Sequence, residues 1–211
     1  MTQFAFIDVD GTLTAGEKSS WELVHDYFGV KDEMEDHSSK YFTGQISYEE
    51  WAALDVALWK GRPISDLHKA LNPPVLIDGA KEGIQKLQDQ GFKVVLLSGG
   101  IDIMVNEVAH LVGADFAHSN EIGHLNGVID GTMGEMVGEK SKVIRELVKK
   151  FNIDLQKSVA IGDNFNDIDM FEMVGKSIAI NPKNDQLLNV ASDVIHTDNF
   201  SEAVDQLLRL T

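Results

Sequence analysis

Four consecutive apolar residues, Phe4-Ala5-Phe6-Ile7, run without a polar break into Asp8-Val9-Asp10-Gly11-Thr12. A short apolar run closed by a turn signal predicts a fully buried strand. The pattern recurs at 92–97, before Ser98-Gly99-Gly100, and at 159–161, before Gly162-Asp163. Shorter runs at 115–118, 177–180 and 193–195 predict three more strands. Between them the apolar positions take helical spacing. Residues 80–90 carry Ile84 and Leu87 on one face and stop at Gly91; 102–111 stops at Gly113; 140–151, 166–174 and 200–210 complete the set. Asn126-Gly127, inside 119–136, is the signal of a tight hairpin.

Residues 15–75 break this alternation. Ser19-Ser20-Trp21-Glu22 predicts a capped helix carrying Val24, His25 and Phe28, and Ser47-Tyr48-Glu49-Glu50 a second with Trp51, Val56 and Trp59. Residues 64–71 predict a third, closed by Asn72-Pro73-Pro74. The charged stretch 31–40 carries no strand signal. The segment is therefore expected to be all-helical, with the three tryptophans forming its core.

Strand–helix alternation with continuously apolar strands predicts an α/β fold, a doubly wound, Rossmann-like parallel sheet covered on both faces. A small helical cap follows its first strand and a β-hairpin precedes Lys140. The expected division is a core of 1–14 and 76–211 with a cap of 15–75. Ligands of such sheets bind beyond the carboxyl ends of the strands. Asp8 and Asp10, then Ser98, Gly99 and Gly100, then Asp163, Asn166 and Asp167 follow the three strongest strands and meet at that edge.

Composition narrows the chemistry. The 211 residues contain no cysteine, which removes disulfides, thiolate metal sites and cysteine nucleophiles. A net charge of -16 opposes a nucleic-acid partner. No run approaches the roughly 20 apolar residues of a membrane span, and the first residues lack the features of a signal peptide, so a cytoplasmic protein is expected. Clustered carboxylates without histidine or cysteine ligands favour a hard cation, and Mg²⁺ suits an acidic edge that must also accept phosphate. A carboxylate can attack phosphorus, a neighbouring acid can move the proton, and Ser98, the glycine N–H groups and a lysine can hold the phosphoryl oxygens. Lys140 stands at a helix start suited to this role, with Lys142 as its competitor.

Asp8-Val9-Asp10-Gly11-Thr12, Ser98-Gly99-Gly100, Lys140 and Gly162-Asp163-Asn164-Phe165-Asn166-Asp167 together resemble the four ordered motifs of the haloacid dehalogenase-like hydrolases, nearest to their phosphoserine phosphatase branch. The resemblance covers essentially the whole chain. It implies a nucleophilic, metal-binding Asp8 and an acid/base Asp10 whose main-chain carbonyl binds the metal. It implies Ser98, Gly99 and Lys140 on phosphate, Asp163 as a further Mg²⁺ ligand, and Asn166 and Asp167 as support for metal and lysine. Glu17 matches a substrate-binding glutamate of the cap. Asp55 falls where that branch carries a carboxylate-binding arginine, and Arg62 lies seven residues further on. The expected activity is hydrolysis of a small phosphorylated metabolite. A phosphomutase or phosphotransferase, or a module that binds phosphate or metal without turnover, stands as the alternative. Asp169 and Asp185 are expected to face or cap helices, and Ser98 also suits a helix cap.

Overall fold

The computed structural model describes residues 2–211. Strand β1 (Phe4–Ile7) lies inside a six-stranded parallel sheet with β2 (Lys93–Ile101), β3 (Phe116–Asn120), β6 (Val159–Gly162), β7 (Lys176–Ile180) and β8 (Asp193–Ile195), in the order β3-β2-β1-β6-β7-β8. The order reverses at β1, so the first strand stands at the switch point. Ile7 is in register with Leu96 of β2 and Ile161 of β6. Asp8 therefore leaves the sheet close to Ser98 and Asp163.

The uninterrupted apolar run of β1 is explained by its two buried faces. Ala5 and Ile7 join one core, with Ile84 and Leu87 of α5 (Ala80–Asp89), Val105 of α6 (Asp102–Val112) and Val204 of α10 (Phe200–Leu208). Phe4 and Phe6 join the other, with Ile144 and Leu147 of α7 (Lys140–Phe151) and Met170 of α8 (Ile168–Phe171).

Four helices separate β1 from α5: α1 (Ser20–Phe28), α2 (Lys31–Phe42), α3 (Tyr48–Trp59) and α4 (Ile64–Leu71). Both predicted helix starts are capped, and each forms a capping box, Ser19 with Glu22 and Ser47 with Glu50. Trp59 is fully buried against Trp21, His25 and Phe28, and joins Val56, Leu67 and Leu71 in the core shared with Ile7. Helix α2 has no predicted counterpart. None of its residues is fully buried, and the side it turns inward, half-buried Met34, His37, Ser38 and Tyr41, is mostly polar, with no apolar stripe to read.

The hairpin is β4 (Ile122–Leu125) with β5 (Val128–Met133), and Asn126 and Gly127 both take left-handed backbone at φ 52 and 79. Its main chain bonds the α3–α4 connection: Gly61 N–H donates to Ile129, Ile129 to Arg62, and Ile64 to Gly127, each at 2.9 Å. Residues 119–120 belong to β3 rather than to the expected ribbon. The predicted helix 166–174 is a tight turn, Phe165–Asp167, followed by the single turn of α8. It starts late because the Asp167 carboxylate bends back onto the N–H groups of Asp163 and Asn164. Among the described residues no helix is long and apolar enough to cross a membrane.

Candidate active site

The sheet edge opens into a cavity of about 820 Å³ whose floor is the β1 switch point and whose walls include α1, α2 and α3. Asp8, Ser98, Lys140, Asp163 and Asp167 are each at most 2% exposed there. Lys140 Nζ donates to Asp8 Oδ1 and Asp167 Oδ1, both at 2.5 Å. Asp167 has no freedom left, since its Oδ2 accepts from the backbone of Asp163 and Asn164 at 2.9 and 3.0 Å. Asp8 Oδ2 accepts no hydrogen bond among the described residues, and Asp8 lines the cavity.

Asp10 is held differently. Its Oδ2 accepts from the N–H and hydroxyl of Ser20 at 3.1 and 2.8 Å, and the Ser20 hydroxyl accepts from Ile101 N–H at 3.0 Å. Asp10 Oδ1 is buried without a partner. Gly100 makes this approach possible: a Cβ there would stand 2.7 Å from both Asp10 Oδ2 and Ser20 Oγ. The turn itself is tied by its Gly99 carbonyl, which accepts from the Trp21 indole at 2.8 Å and the Asn120 amide at 2.6 Å. Ser98 Oγ accepts from Gly100 N–H at 2.9 Å. It does not cap α6, whose cap residue Ile101 offers no side-chain bond.

Burial is the largest cause raising the pKa of Asp8, Asp10 and Asp163. Lys140 opposes it at Asp8, and Ser20 opposes it at Asp10. Burial alone would lower the Lys140 pKa, but the Asp167 and Asp8 carboxylates outweigh it and raise it. With all four ionised, Asp8, Asp10, Asp163 and Asp167 outnumber the ammonium groups of Lys140 and Lys183 by two, and by one where Asp10 holds a proton. A bound cation would offset that excess. Ligand oxygens of Asp8, Asp163 and Asp167 gather within 4.8 Å of one another. With Asp167 committed to Lys140 and backbone, Asp8 and Asp163 are the carboxylates available to a metal, and an all-oxygen set suits Mg²⁺. The Asp10 carbonyl accepts no hydrogen bond among the described residues. The site residues present therefore fit the ion.

Asn166 lines the cavity but bonds neither Lys140 nor the acids, and Glu17 is an exposed part of the wall. Lys142 is excluded, paired on the surface with Glu139. Asp169 accepts from Ser141 N–H at the start of α7, as a capping acid. Arg62 stacks over Phe28, 5.3 Å from the ring centroid, away from the cavity wall. Four contributors lack a signal in the chain pattern. Ser20 is hidden behind Ser19, which takes the helix cap. Lys183 sits on a loop after β7 with its Nζ 2.9 Å from Asp163 Oδ2. His37 and His25 flank Asp55, at 2.6 and 3.6 Å.

A doubly wound sheet with a buried lysine-bound aspartate at its switch point, and a helical segment after the first strand, defines one class of hydrolase fold. The chain belongs to that class, the haloacid dehalogenase-like hydrolases, whose family pattern it matches over residues 5–172. It is 33% identical to the phosphoserine phosphatase of Methanocaldococcus jannaschii over 175 residues, 82% of each chain. It is also 33% identical to that of Archaeoglobus fulgidus over 196 residues, covering 92% of this chain and 56% of that one. A phosphoserine phosphatase solved as a phospho-aspartyl intermediate analogue superposes with a TM-score of 0.82 at 27% identity, over 98% of this chain and 99% of the other.

Proposed function

We propose that the protein is a Mg²⁺-dependent phosphatase of a small phosphomonoester, working through an aspartyl-phosphate on Asp8. The observation that carries this is the asymmetry of the Asp8 carboxylate: one oxygen is fixed by Lys140 and the other is free towards the cavity. The free oxygen attacks phosphorus as the bond to the leaving oxygen breaks. Asp10, kept protonated more readily by burial, gives its proton to that oxygen. It then takes a proton from the water that attacks the aspartyl-phosphate, releasing inorganic phosphate and restoring Asp8. Ser98, the Gly99 N–H and Lys140 hold the phosphoryl oxygens. Mg²⁺, held by Asp8, Asp163 and the Asp10 carbonyl, would neutralise charge on the phosphoryl group. Asn166 borders this site, and Asp167 fixes Lys140. Residues 15–75 act as a cap domain over the cavity, and Glu17 reaches the substrate from its rim.

Phosphoserine phosphatase is the name carried by the relatives above, and that makes the chain a phosphoric monoester hydrolase in class. Asp8→Asn tests the mechanism. Phosphate release from p-nitrophenyl phosphate under Mg²⁺ is expected to disappear, and substantial remaining turnover would falsify the covalent route. Incorporation of labelled oxygen from water into the released phosphate separates hydrolysis from transfer to a second alcohol.

A further inference from the structure

The half of the cavity remote from Asp8 has an unusual charge balance. Its cations are all committed elsewhere. Lys140 and Lys183 lie on the acids of the floor, and Lys18 is bonded to Asp26 at the rim. Arg62, on the α3–α4 turn, is stacked on Phe28 off the wall. A carboxylate entering this half would meet no free positive side chain among those lining it.

What it meets is Asp55 on α3. This side chain is 3% exposed, yet it lines the cavity. Its Oδ1 is bonded by His37 Nδ1 at 2.6 Å, while its Oδ2 accepts no hydrogen bond among the described residues. His25 Nε2 stands 3.6 Å from Oδ2 and is itself buried without a partner. Burial lowers the His25 pKa and raises that of Asp55, the latter against the hydrogen bond from His37, which favours the carboxylate. Aromatic side chains line the same cavity. Tyr41 and Trp51 stack at 4.7 Å between centroids, Phe42 closes on Trp51 at 5.9 Å, and Trp21 of α1 contributes to the wall. Aromatic faces beside a desolvated carboxylate attract an organic ammonium ion and repel an anion.

We infer that the alcohol half of the substrate carries an ammonium group and no carboxylate, so that the enzyme takes phosphate esters of amino alcohols, with Asp55 and the aromatic wall selecting them. This rests on the phosphatase function proposed above, and it gives the same site a substrate class. The charged head faces Asp55 Oδ2, and its methylene or methyl groups lie on Trp51 and Tyr41. Phosphoserine shares the ammonium but adds a carboxylate that Asp55 repels.

The test reads binding separately from turnover. Asp8→Asn protein with Mg²⁺ is titrated with phosphoethanolamine, phosphocholine, phosphoserine and glycerol 3-phosphate, following tryptophan emission and heat. One of the two amino-alcohol phosphates is expected to bind at least about tenfold tighter than phosphoserine, a ratio set by like-charge repulsion in a desolvated wall. The same order is expected in kcat/KM with the unaltered enzyme. Equal or tighter binding of phosphoserine overturns the inference, even where hydrolysis of p-nitrophenyl phosphate proves the phosphatase function. Preferred binding of the amino-alcohol esters without hydrolysis leaves the substrate class standing and sinks the catalytic proposal. Asp55→Asn, similar in shape, is expected to reduce the ratio at least about fivefold. An unchanged ratio in folded variant protein removes Asp55 from selection. If that variant does not fold, the ratio in the Asp55-containing protein still decides.

Discussion

Lys183 Nζ lies 2.9 Å from Asp163 Oδ2, the carboxylate oxygen that otherwise has no partner. Gly11 leaves room for it: at φ 88, a Cβ on that residue would press on the Lys183 ammonium and on the Asp163 carboxylate. The lysine is therefore an internal counter-ion that a metal must compete with. Removing it as Lys183→Met is expected to tighten Mg²⁺ binding about two- to fivefold, the worth of a half-exposed ion pair of ~0.5–1 kcal/mol. Calorimetric titration with Mg²⁺ checks this, and weaker binding in the variant would make Lys183 a supporter of the metal.

Ser20 sets the proton affinity of Asp10. Its N–H and hydroxyl both bond the ionised form, which holds the Asp10 pKa below the level burial alone would impose. Ser20→Ala removes one of these bonds and raises that pKa further. Asp10 then keeps its proton to higher pH. The pH profile of kcat/KM is expected to move up by about one unit, the equivalent of a charge-assisted hydrogen bond of ~1.5 kcal/mol. A profile that stays in place would remove Ser20 from this role.

Without metal, the acids of the floor work against folding. Asp8, Asp10 and Asp163 have raised pKa values in the folded chain, with burial the largest cause. The folded state then keeps protons that the unfolded chain has released, so these groups make stability fall as pH rises from the ordinary carboxylate range to the raised values. The metal-free protein is expected to show a higher Tm near about pH 5 than near about pH 8, and Mg²⁺ to raise Tm more at the higher pH. Scanning calorimetry at both values decides, and a Mg²⁺ gain that is larger at low pH contradicts the account.

Trp59 is the structural tryptophan. It is fully buried among Trp21, His25 and Phe28, whereas Trp51 lines the cavity. Trp59→Ala is expected to cost about 3–5 kcal/mol of stability through the void it leaves. Chemical denaturation measures it. A loss under ~1 kcal/mol would mean that the helices collapse onto the vacated volume.

How much could be read in advance depended on how each element announces itself. The strand ends carrying Asp8, Ser98 and Asp163 were legible because two-sided burial makes β1, β2 and β6 apolar throughout. The Asn126-Gly127 turn was legible because left-handed backbone at both positions restricts the residues that fit. Helix α2 was not, because its half-buried face, Met34, His37, Ser38 and Tyr41, is mostly polar and gives no apolar period. Lys183 and His37 reach the site from a loop and from that same polar helix, so only the folded chain brings them to Asp163 and Asp55. Ser20 was masked by its neighbour, since either serine of the pair suits a helix cap.

The three main-chain bonds joining Gly61, Arg62 and Ile64 to the β4–β5 hairpin bear on how this fold could be recombined. Exchanging residues 15–75 alone with those of a relative would hand the hairpin a stranger to pair with. The piece that travels intact is discontinuous: the helical segment together with residues 122–133. Chimaeras built on that pair of segments are the ones that should inherit a donor's substrate range while keeping the recipient's phosphate chemistry.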